Sequence, residues 1–422
     1  MADGIGHGLM TRVAFESLPE WQQKIWEEEK QKLVNIYCMY GDSYFGDKKE
    51  EAQPYMKMPD GSIPMIPWQY RFFKKTAPGK DFFTCGYYRL ARYVFDYYIS
   101  QIARNLKDRK IKDSAGFAGV LAHFIEDAGC PSHSIGVDLG IDMEIIKLLL
   151  PPSDKKKRLM QFHNILEGEY EEFTLKGYKP KLLGLTSKEA SFNLLDRFTD
   201  MLENSTRQIL AMAEAFYRDD YKTLKKHLTE SGIFSSKVLA DALYTAFCIA
   251  FNRFDKKETK ILRKRKISEL TPYKWTGWAP YPYFYPVVRN SNMSLDKGFK
   301  PVPLKLNIDG KVKEFKYGFG IGAPFEIRYL LPKGVYKKFC CIIGLHSDLG
   351  KDGEIIFKVV IDEKIVFNSG IIKDDRARRI EILLGKGEKL SLITQPTKNS
   401  FGRFGNQAVW AEPMIVKNES DS

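Results

Sequence analysis

The hydrophobic period of this chain changes near residue 270, from steps of three and four residues before it to steps of two after residue 300. Residues 87–107 carry Tyr87, Leu90, Tyr93, Val94, Tyr97 and Ile102 at helical spacing, and residues 115–127, 158–175, 188–217 and 236–254 show the same pattern. Ser187 followed by Glu189, and Ser235 ahead of a long apolar run, suit helix starts. Beyond residue 300, Phe325-Glu-Ile-Arg-Tyr-Leu-Leu, Glu354-Ile-Ile-Phe-Lys-Val-Val-Ile-Asp and Arg379-Ile-Glu-Ile-Leu-Leu alternate, with turns such as Asp309-Gly310, Asp352-Gly353 and Gly385-Lys-Gly387 between them. The predicted fold class is therefore multidomain: an all-α helical bundle over residues 1–270, then an all-β sandwich over residues 295–422. Residues 271–294 hold four prolines among many aromatics, which predicts an extended linker.

The length of 422 residues allows two or three domains, and 44% hydrophobic with 28% charged residues is ordinary for a globular chain. A net charge of +13, with clusters at Lys155-Lys-Lys-Arg158 and residues 256–266, favours contact with an anionic surface. The plainer reading of such runs is a solvated face. No run reaches the ~18 apolar residues of a membrane span, so no transmembrane segment is expected. Met1-Ala-Asp-Gly-Ile-Gly-His7 lacks a basic start and an apolar core, so no signal peptide is visible. The six cysteines form no CxxC pair, and a Cys38–Cys85 disulfide is allowed but not established by spacing.

The chemistry concentrates in His123-Phe-Ile-Glu-Asp127-Ala-Gly-Cys-Pro-Ser-His133. His123 and Asp127 are four residues apart in a helical stretch, so both side chains reach one ion. Helical signal ends at Gly129 and Pro131, and His133 follows the break. His163-Asn-Ile-Leu-Glu167 repeats the His-x-x-x-acid spacing on another predicted helix. One such pair is commonly structural; two pairs plus a histidine at a helix end are a rarer coincidence. Imidazole with carboxylate suits zinc.

This spacing resembles the superfamily of zinc-dependent bacterial phospholipases C and the fungal and plant single-strand nucleases. The resemblance implies a helical bundle with up to three zinc ions, two or fewer if the Asp42 side is degenerate. It makes His123 a metal ligand and Asp127 a bridge between two ions, with His133, His163 and Glu167 on the separate zinc. Glu167 at the last place is more like the phospholipases. The family also uses a free N-terminal residue and a histidine shortly behind it. Here Ala2, if Met1 is absent, would present the amine, and His7 stands in the matching place. Asp42 in Tyr40-Gly-Asp-Ser-Tyr, with Asp47 as runner-up, would complete the site shared with Asp127 and orient or deprotonate the attacking water. No histidine lies between residues 8 and 122, and Gln69 stands near the place where the family has one. The activity implied is hydrolysis of a phosphodiester by a metal-activated water, in a secreted or periplasmic protein.

Residues 295–417 resemble the NPCBM family, a β-sandwich module attached to many secreted glycan-active enzymes. The resemblance rests on Tyr317-Gly-Phe-Gly-Ile-Gly-Ala-Pro-Phe-Glu-Ile-Arg-Tyr329, Phe339-Cys-Cys-Ile-Ile-Gly-Leu-His-Ser-Asp-Leu-Gly350 and Asn406-Gln-Ala-Val-Trp-Ala411. It implies a carbohydrate-binding module with a glycan ligand, for which Trp410 and Asn406 are the candidate contacts. Trp410 is either core or a sugar platform, and core is the commoner place for such a residue. Gly322 stands where the family commonly has histidine, and Asn406-Gln407 where it has an acidic or histidine pair. The leading function is a zinc-dependent phosphoesterase of phospholipase C type, a hydrolase acting on a phospholipid. The alternatives are a nuclease or 3′-nucleotidase acting on a nucleotide phosphoester, and a non-catalytic, metal-containing glycan-binding or adhesion protein.

Overall fold

The change of period near residue 270 becomes a change of architecture: an all-α unit followed by an all-β unit of antiparallel sheets. The computed structural model describes residues 4–44, 46, 48–59, 72–73, 84–85, 88–131, 162, 165–166, 168–277, 287–294, 300–374 and 376–417. The chain divides into a helical unit, Met1–Phe72 with Gly86–Thr259, and a β unit, Lys260–Ser422 with Phe73–Cys85.

In the helical unit the longer helices are Gly4–Glu16, Tyr88–Lys107, Ile111–Gly129, Ser187–Tyr217 and Tyr221–Phe251. The Ile111–Gly129 helix is buried at every position from Ser114 to Gly129, as befits the central helix of a bundle. The Ser187–Tyr217 helix starts where the sequence placed it: Thr186 caps it by accepting from Glu189 N at 3.3 Å, while the Glu189 carboxylate accepts from Leu185 N at 3.0 Å. Ser235, read as another start, lies inside the Tyr221–Phe251 helix, which is capped instead by Asp220 accepting from Thr223 N at 3.1 Å. The Ser235 hydroxyl donates back to Ser231 O and fills the space a Cβ on Gly129 would need. Small residues there let the two helices approach closely. Of the helix expected over 158–175, Phe162, Ile165, Leu166 and Gly168 are helical, whereas residues 169–175 are not.

The Tyr221–Phe251 helix is long and apolar enough by composition to cross a membrane, yet 67% of its most apolar window is buried inside the fold. Its Asp241 accepts from Tyr178 Oη, Lys181 N and Arg197 Nε at 2.7, 2.7 and 3.2 Å. A buried carboxylate so fully paired belongs to a core helix of this unit.

The β unit has two main sheets. One runs Lys364–Ile372, Ile355–Ile361, Lys389–Pro396, Phe325–Leu330 and Lys274–Gly277. The other runs Arg378–Leu383, Lys338–Leu345, Gln407–Val416, Gly318–Gly322 and Val287–Arg289, and Lys264–Lys266 also pairs with Gln407–Val416. Ile355, Phe357, Val359 and Ile361 are buried while the residues between them are half-buried, the alternation the sequence showed. The segment 271–294 is not simply a linker. Lys274–Gly277 pairs with Phe325–Leu330 and Val287–Arg289 with Gly318–Gly322, each at the end of its sheet. Strands at sheet edges tolerate nearby prolines, because only one side of the strand must donate hydrogen bonds to a neighbour.

Candidate metal centre

Burying an imidazole or a carboxylate is costly unless each polar atom finds a partner. His7, His123, Glu126 and Asp127 are all buried within the helical unit, and their partners define the site. His123 projects from the middle of the Ile111–Gly129 helix, and its Nδ1 donates to the backbone carbonyl of Cys38 at 2.9 Å. That bond fixes the tautomer and leaves Nε2 as the lone-pair nitrogen. His7, from the Gly4–Glu16 helix, places Nδ1 2.8 Å from Glu126 Oε2. The two imidazole rings stack, with centroids 4.5 Å apart and planes 20° from parallel.

The remaining nitrogens converge on one carboxylate. His7 Nε2 lies 3.2 Å from Asp127 Oδ1, and His123 Nε2 lies 3.3 Å from Asp127 Oδ2. Neither Nε2 has a hydrogen-bond partner. Burial opposes a charge on His7, but the carboxylates of Asp127 and Glu126 that face its two nitrogens outweigh it and raise its pKa to about 10. The same field that draws a proton to this point draws a cation. His7, His123 and Asp127 form a group able to hold a metal ion, with their ligand atoms all within 4.8 Å of one another.

Asp42 approaches from the short Tyr40–Ser43 helix, and its Oδ1 lies 3.6 Å from His123 Nε2. It is the most open member, with 23% of its side chain exposed. Gly41 makes that approach feasible: a Cβ there would collide with the imidazole of His123. Gly119 does the same one turn earlier, where a Cβ would strike the backbone of Tyr37. Cys38 is a free thiol whose Sγ donates to Val34 O at 2.9 Å, which removes the disulfide that spacing allowed.

Of the residues singled out by sequence, the structure brings together His7, Asp42, His123 and Asp127. Ala2, Asp47, Gln69, His133, His163 and Glu167 lie outside the described residues. Glu126 and Thr11 were missed, although Thr11 follows His7 by one helical turn, a spacing that places both on one face. Of the two candidate glycan contacts, Trp410 takes the core position that the sequence favoured, and Asn406 is not at a surface either. Trp410 is fully buried and meets Phe357 of the opposite sheet edge-on, with centroids 5.3 Å apart. Asn406 is also fully buried, accepting from Glu354 N at 3.1 Å and donating to Ser400 O. Trp410 fills the space between the sheets, and Asn406 ties two loops together.

The class these features define is a two-unit protein, an all-α unit with a buried histidine–carboxylate group able to hold a cation, and an all-β sandwich. Residues 269–416 match the family described as NPCBM/NEW2 domain. Among solved structures, the chain is similar to CBM51 from Clostridium perfringens GH95 in complex with methyl-galactose. The identity is 18%, over 36% of this chain and 99% of that one, with a TM-score of 0.31. The tandem CBM51 modules of a Streptococcus pneumoniae family 98 glycoside hydrolase show 21% identity over 37% of this chain and 48% of theirs, with a TM-score of 0.33. Alpha toxin from Clostridium absonum aligns over 100% of this chain and 96% of its own, at 10% identity and a TM-score of 0.37. No curated protein matches the chain.

Proposed function

We propose that this chain is a zinc-dependent phosphoesterase of phospholipase C type, secreted or periplasmic, with a C-terminal module that holds it near glycan. The observation that carries the reading is the convergence of two buried imidazole nitrogens, His7 Nε2 and His123 Nε2, on the Asp127 carboxylate with no hydrogen bond to either. Each ring's other nitrogen is engaged, by Glu126 and by the Cys38 carbonyl, which is the usual arrangement behind metal-ligating histidines. Two imidazoles and a carboxylate are a donor set that suits zinc.

In this reading His7, His123 and Asp127 hold the metal, Asp42 stands at the open side, and His133, His163 and Glu167, with Ala2 if Met1 is absent, complete the set on the strength of sequence spacing. Zinc bound there would lower the pKa of water and polarise the P–O bond. Asp42, partly exposed and 3.6 Å from His123 Nε2, would accept the proton of the attacking water. Burial of His123 and Asp127 would limit the screening by bulk water of charges that met a phosphate there. The C-terminal module would raise the effective concentration of the hydrolase at a glycan-bearing surface.

The test is turnover by the zinc-supplemented full-length chain. Diacylglycerol release from phosphatidylcholine vesicles supports the phospholipase reading. Nucleoside and phosphate from a 3′-nucleotide move the activity to the nuclease branch, and zinc binding with neither product leaves a non-catalytic metalloprotein.

A further inference from the structure

Glu126 has no part in the ligand set above, yet it is a fully buried carboxylate beside that set. Both of its oxygens are engaged. Oε1 accepts from Thr11 Oγ1 at 2.6 Å, and Oε2 faces His7 Nδ1 at 2.8 Å. Thr11 and His7 are one turn apart on the Gly4–Glu16 helix, so Glu126 grips one face of that helix at two points. Its neighbour Asp127 projects to the other side of the same imidazole, 3.2 Å from Nε2. His7 is thereby held between consecutive carboxylates of one helix.

We infer that Glu126 is the positioning residue of the centre. By accepting the hydrogen bond from His7 Nδ1, it turns the ring so that Nε2 faces Asp127, the nitrogen whose lone pair a metal ion would take in place of a proton. Thr11 in turn fixes the carboxylate: its donated hydrogen bond occupies Oε1 and leaves Oε2 for the ring. The two histidines therefore differ in their support. His123 donates to a neutral carbonyl, whereas His7 donates to a carboxylate, which makes His7 the more electron-rich ligand. With both oxygens engaged in this way, Glu126 acts through His7. The inference rests on the metal reading given under Proposed function.

Zinc affinity of the full-length chain, measured by competition with a chromophoric chelator, tests it in wild type, Glu126→Gln, Glu126→Ala and Thr11→Val. Glu126→Gln keeps an oxygen for His7 Nδ1–H but loses the charge, and should weaken zinc binding about 10-fold; Glu126→Ala should weaken it about 100-fold. Thr11→Val should fall between wild type and Glu126→Gln. The hydrogen-bonded Nδ1 proton of His7, followed by NMR in the metal-free protein, should persist in Glu126→Gln and vanish in Glu126→Ala. Should Glu126→Ala fail to fold, Glu126→Gln and Thr11→Val carry the test alone. Wild-type affinity in folded Glu126→Gln overturns the inference and leaves the metal reading intact. A wild-type chain that binds no zinc overturns the metal reading itself.

Discussion

His123 Nε2 and Asp127 Oδ2 face each other at 3.3 Å across one turn of a helix buried from Ser114 to Gly129. With the far nitrogen of His123 committed to the Cys38 carbonyl, two electron-rich atoms are held together where only a proton or a cation relieves them. This relationship governs the first prediction. Gly41→Ala would drive a methyl group into the His123 ring. The ring must turn away, so zinc content, read by inductively coupled plasma mass spectrometry, should fall well below wild type while helical circular dichroism is retained.

Asp42 is the most exposed member of the cluster, and under the proposed function it takes a proton rather than supports the fold. Asp42→Asn should therefore lower phosphodiester hydrolysis by about 100-fold or more, with little change in thermal unfolding. Wild-type turnover in that variant would remove Asp42 from the chemistry.

Trp410 separates binding from folding in the β unit. Its indole is buried against Phe357 between the two sheets, so Trp410→Ala should cost about 3–5 kcal/mol in urea unfolding. Glycan affinity of the fraction that remains folded, measured on a carbohydrate array hit, should be unchanged. A selective loss of affinity at full stability would return Trp410 to the binding surface.

His346 predicts a pH dependence. Its Nδ1 accepts from Asp348 N and Leu349 N at 3.1 and 3.2 Å, while Nε2–H donates to Pro303 O at 2.9 Å. The neutral ring fits this arrangement, and burial lowers its pKa below the ordinary 6.5. The unfolded chain then takes up the proton first. The stabilisation is fully present above the unfolded pKa and is lost as pH falls through the folded one. The urea midpoint of the β unit should thus drop between pH 7.5 and pH 5, and His346→Asn should flatten that slope.

The change from helical to alternating period was legible because each reflects which face of an element is buried. His123 and Asp127 were legible for the same reason, as four residues on a helix fix a shared face. Glu126 was not: its partner His7 is 119 residues away, and only the packing of two helices brings them together. The Cys38 carbonyl carries no side-chain signal at all, although Gly41 and Gly119 mark where the backbone must come close. Trp410 was ambiguous because alternation assigns faces without saying which face another sheet covers. The edge strands in residues 271–294 were hidden by prolines that flank them rather than interrupt them.

Zinc analysis of the purified full-length chain, wild type beside Asp127→Asn, bears most directly on the metal centre. Asp127 is the carboxylate on which both Nε2 atoms converge, and the sequence resemblance makes it the bridge. Wild type should retain more than one zinc ion per chain after dialysis, and Asp127→Asn should lose the ions held through His7, Asp42 and His123. A wild-type chain free of zinc, or an Asp127→Asn chain that holds as much as wild type, would contradict the metal centre described here.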